Sequence, residues 1–325
     1  MATALRSLQL IPSIPLAPHP TPIDELTRLR AALGPECPRL LMKRDDLLSF
    51  GQGGNKVRKM QTVAAAAQQE GADMLITCGG VQSNHARVTA ATGAVLGMQV
   101  VLVANGARPQ PLTGNARLNA LFGAEVGYVA SREERNQTME LVAAEARAEK
   151  KHPFIVPLGA STPLGAIGFA RGVEELVTSP HRPAAIVHST SSGGTQAGLI
   201  LGCALYGVKT SIIGVSADDP SAVLTTTIAE LLFGAASLLG AQPASIGAHS
   251  PIVVDDAFVG SGYGVPTPAS TEALALVART EGIVLDPVYT AKAMAGLIAR
   301  VRSGVWRRDE TVLFWHTGGV PGYFV

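Results

Sequence analysis

Six short apolar runs alternate with helix-length segments along most of the chain, and this alternation narrows the fold more than any motif does. "DMLITCGG" (73–80), "MQVVLVANG" (98–106), "HPFIVPLG" (152–159), "AAIVHSTSSGG" (184–194), "SIIGVSADD" (211–219) and "ETVLFWHTGG" (310–319) are rich in Val, Ile and Leu. Strands buried on both faces of a parallel sheet read this way, whereas half-solvated strands alternate apolar with polar residues. Between the runs, segments 57–70, 83–97, 131–150, 195–207, 268–282 and 288–303 have helical length and spacing. The pattern predicts an α/β protein with open, mostly parallel sheets flanked by helices.

Three glycine pairs, Gly79-Gly80, Gly193-Gly194 and Gly318-Gly319, stand near the ends of these runs. In open α/β sheets a ligand sits beyond the carboxyl ends of the strands, where glycine lets backbone and ligand approach. One pair alone is explained as a tight turn; three together point to a shared cleft. Charge excludes some occupants of it. Lys and Arg number 26 against 25 Asp and Glu, with no dense basic run, which argues against a nucleic-acid surface. The most apolar long stretch, 222–241, contains Glu230 and several threonines and suits a buried or amphipathic helix better than a membrane span. Cys37, Cys78 and Cys203 form no disulfide framework and no C-x-x-C pair, so a reducing, cytoplasmic setting is expected. The proline-broken N-terminal stretch does not read as a signal peptide. The seven histidines contain no H-E-x-x-H pair, and no metal is expected; His85 and His316 could meet in the cleft as polar contacts.

Two turns carry side chains suited to an anion. "STSSGGTQAGL" (189–199) leaves a strand and opens a helix, so its hydroxyls and the first N–H groups of that helix could surround a phosphate. It lacks the nucleoside-triphosphate and dinucleotide glycine patterns, and no lysine is present in it to reach a second phosphate, which favours a lone phosphomonoester. "CGGVQSNHAR" (78–87) repeats the form, with Ser83, Asn84 and His85 at a helix start; Ser83 alone reads as an N-cap. "SFGQGGNKVRKMQTV" (49–63) then sets Gly51, Gly53 and Gly54 just ahead of Lys56. A surface lysine needs no such loosening. A lysine aimed inward, its amine kept neutral by burial or by Lys43, Arg44, Arg58 or Lys59, is a nucleophile toward an aldehyde. Lys59 and Lys292 themselves read as solvated. Tyr263 and Tyr289 lie in the turn-rich stretches 260–268 and 286–297. An amine, a monophosphate cradle and polar groups at several strand ends make a site for pyridoxal 5′-phosphate. A non-catalytic amino-acid-binding α/β protein would use the same strand ends without needing Lys56.

In order and spacing, "KRDDLLSFGQGGNKVRK", "GGVQSNHARVTAATGAVLGM", "SSGGTQAGL", "EGIVLDPVYTAKAMAGL" and "LFWHTGGVPGYF" resemble the D-cysteine desulfhydrase and 1-aminocyclopropane-1-carboxylate deaminase family. Its members are fold-type II pyridoxal-phosphate enzymes, related to the tryptophan synthase β chain. The likeness runs from about residue 10 to the C-terminus. It implies two open, mostly parallel twisted sheets in two domains, a large cofactor-binding one (1–56 and 162–325) and a small one (57–161) inserted in it. It also implies a homodimer acting on a small amino acid. Lys56 matches the lysine that carries the cofactor and shuttles the Cα proton. Asn84 would bond the cofactor's phenolic oxygen, with Ser83 and His85 near the substrate carboxylate. Ser192, Gly193, Gly194 and Thr195 would cradle the phosphate, although Ser191 stands where relatives often have glycine. Tyr289 would lie against the ring, Tyr263 would face the substrate from the other side, and Thr317 would sit near the ring nitrogen. The deaminases typically carry glutamate and leucine at the positions held here by Thr290 and Thr317. A carboxylate at the ring nitrogen strengthens the electron sink and a hydroxyl leaves it weaker. The expected reaction is therefore β-elimination from D-cysteine to pyruvate, sulfide and ammonia. Alternatives on the same scaffold are the cyclopropane deaminase, an L-cysteate sulfo-lyase and an amino-acid racemase.

Overall fold

The computed structural model describes residues 2–247 and 250–325; His249 lies outside them. Ten strands among the described residues make two sheets. β1 (Ile23–Glu25), β2 (Arg39–Arg44), β7 (Ala185–Thr190), β8 (Ser211–Ser216), β9 (Val253–Asp255) and β10 (Thr311–His316) form one, in the order β1-β2-β10-β7-β8-β9. β3 (Met74–Gly80), β4 (Gln99–Asn105), β5 (Glu125–Val129) and β6 (Pro153–Val156) form the other, in the order β5-β4-β3-β6. Among the described strands only the β1–β2 pair is antiparallel. In chain order the second sheet is an insertion, since its strands all fall between Met74 and Val156.

The apolar runs bury both faces of the larger sheet. Ile186 and Leu313 pack to one side with Leu199 and Phe169, while their neighbours Val187 and Phe314 pack to the other with Met294 and Leu297. A near-continuous apolar strand is the consequence of that double burial. The six predicted runs are β3, β4, β6, β7, β8 and β10; β3 reaches the run's last residue, Gly80, and the other five stop short of theirs. Run 184–194 stops as a strand at Thr190, after which the chain turns into the helix Gly194–Tyr206. The segment 222–241 is the helix Ser221–Leu238, long and apolar enough to span a membrane by composition. Its Leu224, Ile228, Leu231, Leu232, Ala235 and Ala236 are buried in the core, while Val223 and Phe233 are exposed, as in an amphipathic helix.

β2, unforeseen from its charged sequence "RLLMKR", runs through the interior next to β10. Its Lys43 is wholly buried, which a carboxylate makes tolerable. Lys43 Nζ donates to Glu175 Oε2 (2.5 Å), and Arg58 bonds both Glu175 (2.6 Å) and Asp45 (2.7 Å). Trp315 Nε1 donates to Asp45 at 2.8 Å and Thr21 Oγ1 donates to it at 3.0 Å. Two cations and two carboxylates thus neutralise one another beneath the helix Lys56–Gln69, which carries Arg58 in its first turn. Burial alone would push the Arg58 guanidinium down, but Asp45 and Glu175 hold it above its ordinary value. Burial would likewise raise Glu175, yet bonds from His19 and Arg58 bring its carboxyl well below the usual range. The network therefore anchors the helix on which the candidate nucleophile sits.

Candidate active site

Parallel register brings the strand ends to one edge. Trp315 of β10 stands opposite His188 of β7, so the turns beginning at Thr317 and Ser191 leave the sheet side by side. From the other sheet, β3 ends at Gly80 and leads through Ser83 into the helix Asn84–Leu96. The three turns converge on a partly open cavity lined by Lys56, Asn84, Ser192, Gly193, Thr195, Tyr289 and Thr317, among others. A wider cleft adjoins it and adds Ser83, His85 and Tyr263. The structure thus gathers the sequence-predicted site residues into one place, with Gly194 at the head of the phosphate-loop helix.

The glycines ahead of Lys56 permit close backbone approach. A Cβ on Gly53 would lie 2.4 Å from the Leu48 carbonyl, and one on Gly54 2.9 Å from that of Thr317, both at positive φ. Asn55 then ties the chain to both turns: its N–H donates to Thr317 O (3.0 Å) and its Nδ2 to Thr195 Oγ1 (2.8 Å). Lys56 follows as the first helical residue, its amine in the cavity. Burial pushes that amine down to about 8, opposed by a hydrogen bond with Lys59. Capture of pyridoxal phosphate by the apoenzyme is therefore expected to quicken with pH through a midpoint of about 8. Stopped-flow absorbance checks this, and a midpoint in the range of a solvated lysine would contradict the desolvation of this half-buried amine.

Lys59 is not solvated, contrary to the sequence expectation. It is 1% exposed and its Nζ donates to Ser161 Oγ (3.0 Å) and Gly159 O (3.3 Å). A Cβ on Gly194 would sit 2.9 Å from that Nζ, so a lysine does stand at the phosphate loop, supplied from another element. Burial and the Lys56 charge drive Lys59 well below its ordinary value. A phosphate dianion would reverse that balance by favouring its ammonium form. The sequence carried a signal for this: residues three apart on a helix share a face, so Lys59 follows Lys56 into the site. Lys43, Arg44 and Arg58 do not act on the amine as neighbours in the cavity; each is bound to carboxylates elsewhere.

Ser83 caps the Asn84 helix, accepting from Ala86 N–H at 3.2 Å, and lines the cleft as well. Asn84 Oδ1 accepts from Asn115 Nδ2 (2.9 Å), which turns the amide so that its own N–H groups remain for a ligand oxygen. Tyr263 and Tyr289 share a hydrogen bond between their hydroxyls, the rings edge to face at 5.8 Å. Burial raises both phenols, most strongly Tyr289, so the pair stays protonated. Behind Tyr289, the buried Asp286 accepts from the N–H groups of Val288, Tyr289 and Thr290 and from Thr290 Oγ1 (2.7 Å). Thr290 is therefore spent on Asp286 and does not line the cavity, whereas Thr317 does, with Oγ1 2.8 Å from Ser189 Oγ. Thr290 and Thr317, the positions expected to distinguish the deaminases, thus have different surroundings. His85 and His316 do not meet: His85 bonds Thr77, and His316 bonds Val284 O away from the cleft. Among the described residues no cluster suited to a metal occurs.

Lys292, also expected to be solvated, is fully buried. Its Nζ donates to Val259 O (2.8 Å), Gly262 O (3.0 Å) and Ala217 O (3.4 Å), pinning the loop that presents Tyr263. Lys292→Met keeps the apolar stem but leaves buried carbonyls unpaired, at about 1–3 kcal/mol. The variant is expected to melt lower and to lose about 10²-fold in kcat through a loosened Tyr263. Unchanged kcat with lowered Tm would show that the pin serves stability alone.

The cavity fits pyridoxal phosphate on its own evidence. It offers an amine without a carboxylate partner, a glycine at a helix N-terminus beside a second amine, and a buried Thr190 hydroxyl that lacks a hydrogen-bond partner. A family model described as pyridoxal-phosphate dependent enzyme matches residues 14–318. A crystal structure of an ACC deaminase homologue is 34% identical, covers 100% of this chain and 97% of its own, and superposes with a TM-score of 0.90. An L-serine ammonia-lyase from the fungus Rhizomucor miehei (20% identity, 92% and 93% coverage, TM-score 0.66) shares the fold. So does a threonine deaminase from T.th. (20% identity, 98% and 97% coverage, TM-score 0.69). The lysine-bearing cavity, the family match over almost the whole chain and the full-length structural likeness place this chain in the pyridoxal-phosphate dependent enzyme family.

Proposed function

We propose that the protein is a carbon–sulfur lyase acting on D-cysteine to give pyruvate, sulfide and ammonia. The observation that carries this reading is the cavity lining. Thr317 and Ser189 present paired hydroxyls there, and no Asp or Glu is among the described lining residues. A site without a carboxylate to protonate the ring nitrogen has a weaker electron sink, adequate for expelling a thiolate and poorly matched to opening a cyclopropane.

The bound cofactor supplies the sink that acidifies the substrate Cα–H. Lys56 takes that proton on Nζ, an amine whose lowered value suits general-base work near neutrality. Ser83 and the free N–H groups at the start of its helix hold the substrate carboxylate. Tyr263 and Tyr289, protonated and mutually bonded, close the opposite wall and donate toward the departing group. The Cβ–S bond breaks with its electron pair on sulfur, and water converts the released aminoacrylate to pyruvate and ammonia. The same reading takes residues 57–161 as the inserted small domain, a homodimer as the working form and the cytoplasm as its location.

Purified, cofactor-loaded protein assayed with D-cysteine and L-cysteine side by side tests the proposal. Pyruvate and sulfide released in equal amounts from the D form alone is the expected result. Silence with both, in a protein that is visibly yellow, would reject the substrate and direct the search to cysteate, chloroalanine or racemisation.

A further inference from the structure

Two arginines among the described residues are buried, and their surroundings differ. Arg58 meets two carboxylates, whereas Arg87, 0% exposed, meets none. Burial pushes the Arg87 guanidinium down to about 10, with no opposing charge to hold it up. A cation buried without a counter-ion is costly, so its place is set by the acceptors around it.

Those acceptors belong to the walls of the cofactor cavity. Nη1 donates to Gly51 O and Nη2 to Gly53 O (3.2 Å), both in the loop ahead of Lys56. Nη2 also donates to Asn84 Oδ1 at 3.4 Å, while Nε has no partner. The Asn84 contact is long for a neutral pair, but a full charge that no carboxylate neutralises gives it weight. Asn84, Arg87, Val88 and Ala91 share one face of their helix, and the loop packs along it. A Cβ on Gly51 would stand 2.9 Å from Ala91 Cβ and 4.0 Å from Val88 Cα.

The orientation of the Asn84 amide follows from its two neighbours. Asn115 Nδ2 donates to Gln82 O (2.8 Å), a carbonyl that only accepts, and the same nitrogen lies 2.9 Å from Asn84. Arg87 can only donate. Both neighbours therefore require oxygen at that end of the Asn84 side chain, and both lone pairs of Oδ1 are taken. Nδ2 is turned the other way. It has no protein partner among the described residues, and Asn84 lines the cavity.

We propose that Arg87 is a positioning residue of the cofactor site: its guanidinium, clamped by the glycine loop, holds the Asn84 amide with Nδ2 toward the ring oxygen of bound pyridoxal phosphate. Its charge also polarises the amide and so strengthens Nδ2 as a donor. Arg87 serves the cofactor in this way whatever amino acid is bound, so the role does not rest on the D-cysteine reading.

Isothermal titration calorimetry of the full-length apoenzyme with pyridoxine 5′-phosphate tests the role, with circular dichroism confirming the fold of each variant. That probe keeps the ring oxygen and the phosphate but has no aldehyde for Lys56. Asn84→Ala should weaken binding about tenfold, through the loss of one buried hydrogen bond. Arg87→Met should weaken it about fivefold, because the amide is no longer held. Combined, the two changes should match Asn84→Ala alone to within about twofold, since Arg87 acts through Asn84. Losses that multiply to about fiftyfold, or an Arg87→Met protein that binds as wild type, overturn the proposal. Asn84→Asp asks the same question with Arg87 in place, should Arg87→Met fail to fold. Its carboxylate would face the two donors, so carbon-13 NMR should find it ionising below the ordinary aspartate range. A value at or above that range, as burial without the Arg87 contact would give, overturns the proposal as well. Neither measurement uses an amino acid, so a failed D-cysteine assay would remove the function reading and leave this one standing.

Discussion

Lys56→Ala loses turnover by about 10⁴-fold while keeping the fold, because it removes the amine that binds the cofactor aldehyde and moves the Cα proton. The structure explains why no neighbour can take over. Lys59 reaches the same cavity, but its Nζ is tied to Ser161 and Gly159 at the phosphate loop. Lys292 is spent on three carbonyls beneath the Tyr263 loop. The fold survives since the Lys56 side chain makes no ion pair, and alanine suits a first helical turn. Residual cofactor binding through the phosphate loop and Asn84 is expected, and added methylamine should rescue part of the rate. Steady-state kinetics beside circular dichroism checks the prediction. Normal kcat with an intact fold would remove Lys56 from the chemistry.

Arg58→Met, two residues along, has the largest effect expected on stability. The guanidinium is 2% exposed and bridges Asp45 (0%) to Glu175 (11%). Removing one member of a buried ionic cluster strands the other charges, which costs about 3–5 kcal/mol. Lys43 still pairs with Glu175 at 2.5 Å, so Asp45 is the carboxylate most exposed to the loss. The effect also depends on pH. Glu175 is depressed in the folded state, so its contribution is full above the ordinary carboxylate range and declines as pH falls toward its lower folded value. Urea unfolding at neutral and acidic pH tests both statements: the gap between wild type and Arg58→Met should narrow on acidification. A gap under about 1 kcal/mol at neutral pH would put this network in the class of surface pairs.

The buried parallel strands were legible because double burial leaves little choice of residue; β3, β4, β7, β8 and β10 announce themselves as apolar runs. β2 was hidden because its Lys43 is neutralised by Glu175, 132 positions away in sequence, which no local pattern reveals. β5 was hidden for a different reason: "EVGYV" lies at a sheet edge, half solvated and interrupted by glycine. In the site, Lys56, Asn84 and the phosphate loop stand in motifs whose spacing reflects one turn each. Lys59 and Lys292 act through contacts between elements, so a reading by motif takes them for solvated lysines, whereas Asp286 works locally on Val288, Tyr289 and Thr290 just after it. The different surroundings of Thr290 and Thr317 are not legible from sequence either. Their place in neighbouring motifs says nothing of direction, and Asp286 turns Thr290 away.

The most direct test of the central claim is where the cofactor is attached. Borohydride reduction of the yellow holoenzyme, followed by digestion and mass spectrometry, should find one phosphopyridoxyl group per chain, on the peptide containing Lys56. A label on Lys59 or Lys292 instead, or a reduced protein carrying none, would contradict the assignment of Lys56 and the mechanism built on it.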